Sequence, residues 1–210
     1  MTTLRLVVLA RAVPRLAALL VLMTGLSWTF YHTAITIDLN VSPFAPSHTV
    51  PMPEMIAMIT GILAATVLRP RLWEWERLGG PRVRLVAVTL AAVAMAAPLL
   101  PALIGLYSMP GDRTPTWLVS NTLTIGATVL LLSALIGPLL AGGVTLGCYL
   151  GLVLLDNLVV GARPFLPLAT YPATHGKWLP PLILIPLALA VHAVTRGTSA
   201  WAHNLGRNEN

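Results

Sequence analysis

Apolar runs of about 20 residues, separated by short polar or proline-rich pieces, repeat along the whole chain. A run of that length crosses the ~30 Å hydrocarbon core of a bilayer as an α-helix. Barrel strands would alternate polar and apolar over ~10 residues, whereas these runs are continuous. The pattern predicts an all-α integral membrane protein with six transmembrane helices, near Leu16–Ile37, Met55–Leu68, Leu85–Leu106, Leu118–Ile136, Leu139–Val160 and Leu182–Val194. The second and sixth are short as drawn. They reach full length if the second begins within the preceding proline-rich segment and the sixth near Trp178. TTLRLVVLARAV (2–13), marked by Arg5 and Arg11, fits a helix lying in the membrane interface. The first run is too long for a signal-peptide core and no AxA-like site closes it, so it reads as an uncleaved span. Residues 1–210 form one transmembrane domain in this reading.

The connections follow from proline and glycine. DLNVSPFAPSHTVPMPE (38–54) and GARPFLPLATYPATHGKWLPP (161–181) read as proline-rich loops, and Gly137-Pro138 as a tight turn. TRGTSAWAHNLGRNEN reads as a polar tail.

Composition agrees with the pattern. Charged residues make up 10% of the chain, against about 25% in a soluble domain. The net charge of +6 is first a topology signal. With six spans, Arg5, Arg11, Arg15, Arg69, Arg71, Arg77, Arg82, Arg84, Arg196 and Arg207 fall on one side, against Arg113, Arg163 and Lys177 on the other. The positive-inside bias then puts both termini in the cytoplasm.

Several chemistries lack their residues. Neither GxxxxGK[ST] nor a GxGxxG after a strand occurs, so the chain holds no nucleotide-driven motor of its own. His32, His48, His175, His192 and His203 are scattered without HExxH or a His/Cys group, so no metal site is expected. Without GxSxG or paired intramembrane aspartates, an intramembrane hydrolase ranks last, and no enzyme activity or cofactor is expected in this chain. The lone Cys148 forms no intrachain disulfide.

Charge concentrates in RPRLWEWERLGGPRVR (69–84). As a helix at about 100° per residue, Leu72, Trp75 and Leu78 share one side and Trp73, Glu74 and Arg77 the other. Arg71 falls in the apolar arc and snorkels its charge outward, and Gly79-Gly80-Pro81 ends the helix. The result is a cytoplasmic amphipathic helix between spans two and three. Topology and interface anchoring explain the arginines and Trp75. Glu74 and Glu76 add little to orientation and are repelled by anionic lipid, and Trp73 faces water. A surface for a cytoplasmic partner, using Arg71, Trp73, Glu74, Trp75, Glu76 and Arg77, is the other reading.

Three further groups stand out. Gly143, Gly147 and Gly151 lie on one helix face and allow close helix approach. Packing within the subunit is the default, and a seam between subunits the alternative. Asp156 is the one acid well inside a predicted span, where a carboxylate is costly. Arg163, seven residues on, returns to its face, so an ion pair is the default and a substrate or proton site the alternative. Asn157 or Asn121 are other partners for it. Tyr171, His175, Lys177 and Trp178 crowd the outer segment, as an exit gate or as interface anchors.

This layout resembles an ABC transporter permease of the ABC-type-2 exporter class. The resemblance rests on six spans, an interfacial N-terminal helix, the glutamate-bearing LWEWERLGG helix between spans two and three, and the proline-rich 161–181 before span six. It covers the whole chain in layout and rests on no strict motif. It implies that the 69–84 stretch is the coupling helix resting on a separate ATP-binding cassette ATPase, which would hold ATP and Mg. It implies short re-entrant helices in 161–181, a second permease protomer, and residence in a bacterial cytoplasmic membrane. The cargo it implies is a small molecule, peptide or lipid-like amphiphile. A non-transporting immunity or assembly partner that acts by binding is the alternative function.

Overall fold

The computed structural model of the chain describes residues 13–37, 48–69, 81–108, 115–159, 161–171 and 173–207. In chain order these form α1 (Val13–Thr29), β1 (Ala34–Ile37), β2 (His48–Pro51), α2 (Met52–Val67), α3 (Pro81–Ala96), α4 (Leu99–Ser108), α5 (Thr116–Ile136), α6 (Pro138–Leu158), α7 (Leu179–Thr195) and α8 (Ala200–Arg207). The expected interfacial helix at 2–13 falls almost wholly outside the described residues. So do all six side chains of the expected coupling surface, Arg71, Trp73, Glu74, Trp75, Glu76 and Arg77.

Three helical units are long and apolar enough to cross a membrane: Pro81–Ser108, Thr116–Ile136 and Pro138–Leu158. α1, α2 and α7 are apolar but have 17, 16 and 17 residues, which at 1.5 Å per residue stop a little short of ~30 Å. The outward faces are apolar as well. Val21 and Leu22 on α1, Leu139 on α6 and Leu182 and Ile183 on α7 are each more than half exposed. Apolar surface on that scale belongs in lipid rather than water, and the chain is membrane-embedded.

α5 is the hub, packing on α2, α3, α4, α6, α7 and α8. Surrounded by protein, it buries polar side chains that lipid would reject: Ser120, Asn121, Thr122, Thr124 and Ser133. The predicted third span is broken at Ala97-Pro98, because Pro98 has no N–H to continue the α3 ladder. Gly137, at φ 86°, makes the predicted tight turn from α5 into α6.

Two expectations need correction and a third is sharpened. The end of the first predicted span is not helical. Ala34–Ile37 pairs antiparallel with His48–Pro51 in the register Ile35↔Val50 and Thr36↔Thr49. Ala-Ile-Thr-Ile ends in three consecutive β-branched residues, which suit a strand. The tail, expected only to be polar, carries the helix α8. Ser199 caps α8, its Oγ accepting the Ala202 N–H at 3.1 Å. Its own Oγ–H and N–H bond the carbonyls of Leu135 and Ala134 at the end of α5. Finally, 161–178 contains turns and bends among its described residues rather than short helices.

These contacts define two ends of the bundle. At one lie the hairpin and the 161–178 segment, joined by a bridge between Thr49 and Tyr171. At the other lie the α5–α6 turn, α8 and Arg69, whose Nη2 donates to the Ala202 carbonyl at 2.9 Å. Arg69 and Arg196 thus sit at the opposite end from Arg163 and Lys177.

Candidate functional site

The 161–178 segment and the hairpin form a cap, and beneath it lies a buried polar cluster that sequence reasoning missed. Its acid is Glu54. Pro51 is the N-cap of α2 in extended conformation (φ −68°, ψ 141°) and a proline occupies the first helical positions, where its missing N–H costs nothing. The helix therefore starts at Met52 and carries Glu54 in its first turn. There an acid also complements the helix dipole. Glu54 is only 4% exposed.

Asn121, on α5, joins Glu54 to the cap. Its Nδ2 donates to Glu54 Oε1 at 2.8 Å and to the Ala169 carbonyl at 2.8 Å, while Oδ1 accepts the Ala169 N–H at 2.8 Å. The Ala169 N–H fixes which end of the amide is oxygen, so Asn121 can only donate to the carboxyl. Tyr149 on α6 lines the same cavity as Glu54. Among the described residues, Glu54 is thus held by the neutral amide of Asn121. A charge at such depth is costly without a partner.

A second polar group seals the α6 end of the cap. Arg163 Nε lies 3.2 Å from both carboxylate oxygens of the buried Asp156, the ion pair expected from the seven-residue spacing. Asn121 serves Glu54 and Ala169, and Asn157 Nδ2 bonds the Val153 carbonyl of its own helix. Lys177 folds back over this pair, its Nζ donating to the carbonyls of Arg163 at 2.6 Å, Pro164 at 3.1 Å and Leu166. All three ammonium hydrogens are used, stapling the segment into a loop. Burial pushes the Lys177 pKa below its usual range, and the Asp156 charge draws it part of the way back.

The other predicted outer residues divide. The Tyr171 ring packs on Trp117 at 5.5 Å between centroids, whereas His175 and Trp178 are exposed. The Lys177 N–H also bonds Ser120 Oγ at 3.1 Å, docking the cap onto α5.

The glycines of α6 divide too, and the default expectation for them is wrong. Gly143, Gly147 and Gly151 are exposed, and no described residue lies within 4 Å of a side chain built there. The packing glycine is Gly142, where a Cβ would come within 2.6 Å of Ile62 on α2. The glycine ridge is free of the described residues of its own subunit.

Two adjoining cavities open beside Glu54. One touches Glu54, Tyr149 and the 166–170 stretch. The other, between α5, α6 and α7, has Cys148, Thr145 and Leu184 in its lining. Tyr149, Leu152 and Leu168 are walls of both. Among the described residues no group of three or more His, Cys, Asp and Glu side chains is placed to hold a metal ion. No family model, curated protein or solved structure matches the chain.

Proposed function

We propose that this chain is the transmembrane subunit of an ATP-driven exporter of the ABC-type-2 kind, moving an amphiphilic cargo across a bacterial cytoplasmic membrane. In this reading the six apolar helices, α3 and α4 counting as one, all cross the bilayer, and both termini lie in the cytoplasm. A separate cassette ATPase binds ATP and Mg beneath the 69–84 connector.

The observation that carries the reading is the Arg69–Ala202 hydrogen bond. It makes the connector leave the bundle beside α8 and the α5–α6 turn, at the end opposite the sealed cap. A push on the connector then reaches α8, and through Ser199 the end of α5, the helix every other span but α1 touches. Closure of two ATPases would tilt those helices and shift the pair of protomers between inward- and outward-facing states. The exposed Gly143, Gly147 and Gly151 ridge is the surface we assign to the second protomer. The cap, with Tyr171 and Lys177 holding it down, is the outer gate.

The test is Glu74→Ala with Glu76→Ala in the assembled complex. Hydrolysis should uncouple from export while membrane insertion is unchanged. Export at the normal ratio to hydrolysis, or purification in mild detergent without any ATPase, would count against the reading. The second result would favour a membrane partner that acts by binding alone.

A further inference from the structure

We infer that the two cavities beside Tyr149 form one bipartite site for a cationic amphiphile, with Glu54 receiving its ammonium head and the α5–α6–α7 groove its hydrocarbon chain. This deepens the exporter reading by naming the cargo class, and rests on that reading only for calling the ligand cargo.

Three observations converge on it. The first is the unbalanced acid. Glu54 is buried, and among the described residues its hydrogen-bond partner is the neutral amide of Asn121, with the neutral Tyr149 beside it in the cavity wall. Asp156, by contrast, has its arginine. A carboxylate held only by neutral donors has acceptor capacity left, and an ammonium supplies both the charge and the hydrogens that the site lacks. The second is the apolar continuation. Beyond the shared walls Leu152 and Leu168, the groove is lined by Ile125, Pro167, Pro180 and Leu184. Apolar walls with one placed charge are the usual make-up of a small-molecule site. The third is Thr145. It is buried, lines the groove, and its hydroxyl has no hydrogen-bond partner among the described residues, as is also true of Thr24 and Thr122. Other helical threonines, Thr60 and Thr124 among them, bond the carbonyl four residues back.

The protein carries its own reporter, because Cys148 is its single cysteine, is exposed, and lines the groove. The chain alone, in phosphatidylcholine nanodiscs, is treated with methyl methanethiosulfonate in the presence of dodecylamine or of dodecanol. Dodecylamine should protect Cys148 at about ten-fold lower concentration than dodecanol, the weight of one charge-assisted contact. Glu54→Gln should abolish that difference without changing the labelling rate of the free protein. Leu152→Trp, which fills the shared wall from a half-buried position, should abolish protection by both. Equal protection by amine and alcohol in the unaltered protein overturns the proposal, whatever the variants do. So does an amine advantage that survives Glu54→Gln, or protection that survives Leu152→Trp. Because no ATPase is present, failure here leaves the exporter reading standing, and purification from its native membrane without any ATPase would sink that reading while leaving the amine site standing.

Discussion

Asn121→Ala tests the logic of the capped cluster most sharply. The side chain bridges α2, α5 and the cap through three hydrogen bonds. Its loss strands Glu54 Oε1 together with the N–H and carbonyl of Ala169. Interhelical hydrogen bonds inside membranes average about 0.6 kcal/mol, so three give a lower bound near 2 kcal/mol. An unsatisfied buried group costs about 1–3 kcal/mol, so three put the upper bound near 9 kcal/mol if water cannot enter. The matched control is Asn157→Ala. Asn157 is buried to nearly the same extent, but its amide bonds only the Val153 carbonyl of its own helix. Its loss should cost about 1 kcal/mol or less. Unfolding from mild detergent into sodium dodecyl sulfate, followed by circular dichroism, measures both. Equal destabilisation by the two variants, or a cost below 1 kcal/mol for Asn121→Ala, would refute the claim that Asn121 clamps the cap.

Other expectations follow from the same contacts. Gly105→Ala should destabilise by about 1–3 kcal/mol as an overpacking change, because its Cβ would come within 2.6 Å of the rigid Pro53 ring. Gly147→Ala, with open space around it, should leave the isolated subunit's stability unchanged or raised, since alanine is the better helix former. A cost comparable to that of Gly105→Ala would mean the ridge is packed after all. Lys177→Met removes three donors from the 163–166 carbonyls and should speed limited proteolysis within 161–178, with the helices intact by circular dichroism. An unchanged cleavage rate would show that the staple does not hold the cap. Arg69→Ala should free α8 and raise cleavage near residue 200. Unaltered cleavage would break the proposed route from connector to tail.

The helices were legible because hydropathy over twenty residues is a coarse signal that survives ignorance of tertiary structure. Boundaries set by finer chemistry were harder to read. Ala34–Ile37 is as apolar as the helix before it, and only its run of three β-branched residues separates strand from span. Pro51 and Pro53 read as breakers and put Glu54 in a loop. Proline in a first turn instead starts a helix, and that signal was present. Ser199 was likewise a readable cap. The Asp156–Arg163 pair was predictable because spacing along one helix sets it. The Glu54–Asn121 contact spans 67 positions and depends on how α2 meets α5. Glycine spacing showed that α6 has a smooth face, but not that Gly142, one position away, is the residue that packs.

The central claim is that an ATPase grips the connector after the second span. A photo-crosslinking residue at position 74, in cells that make the protein natively, addresses it directly. The account predicts an ultraviolet-dependent adduct with a nucleotide-binding cassette protein, reached from the cytoplasmic side. Labelling of position 74 by a membrane-impermeant reagent applied to intact cells would contradict it.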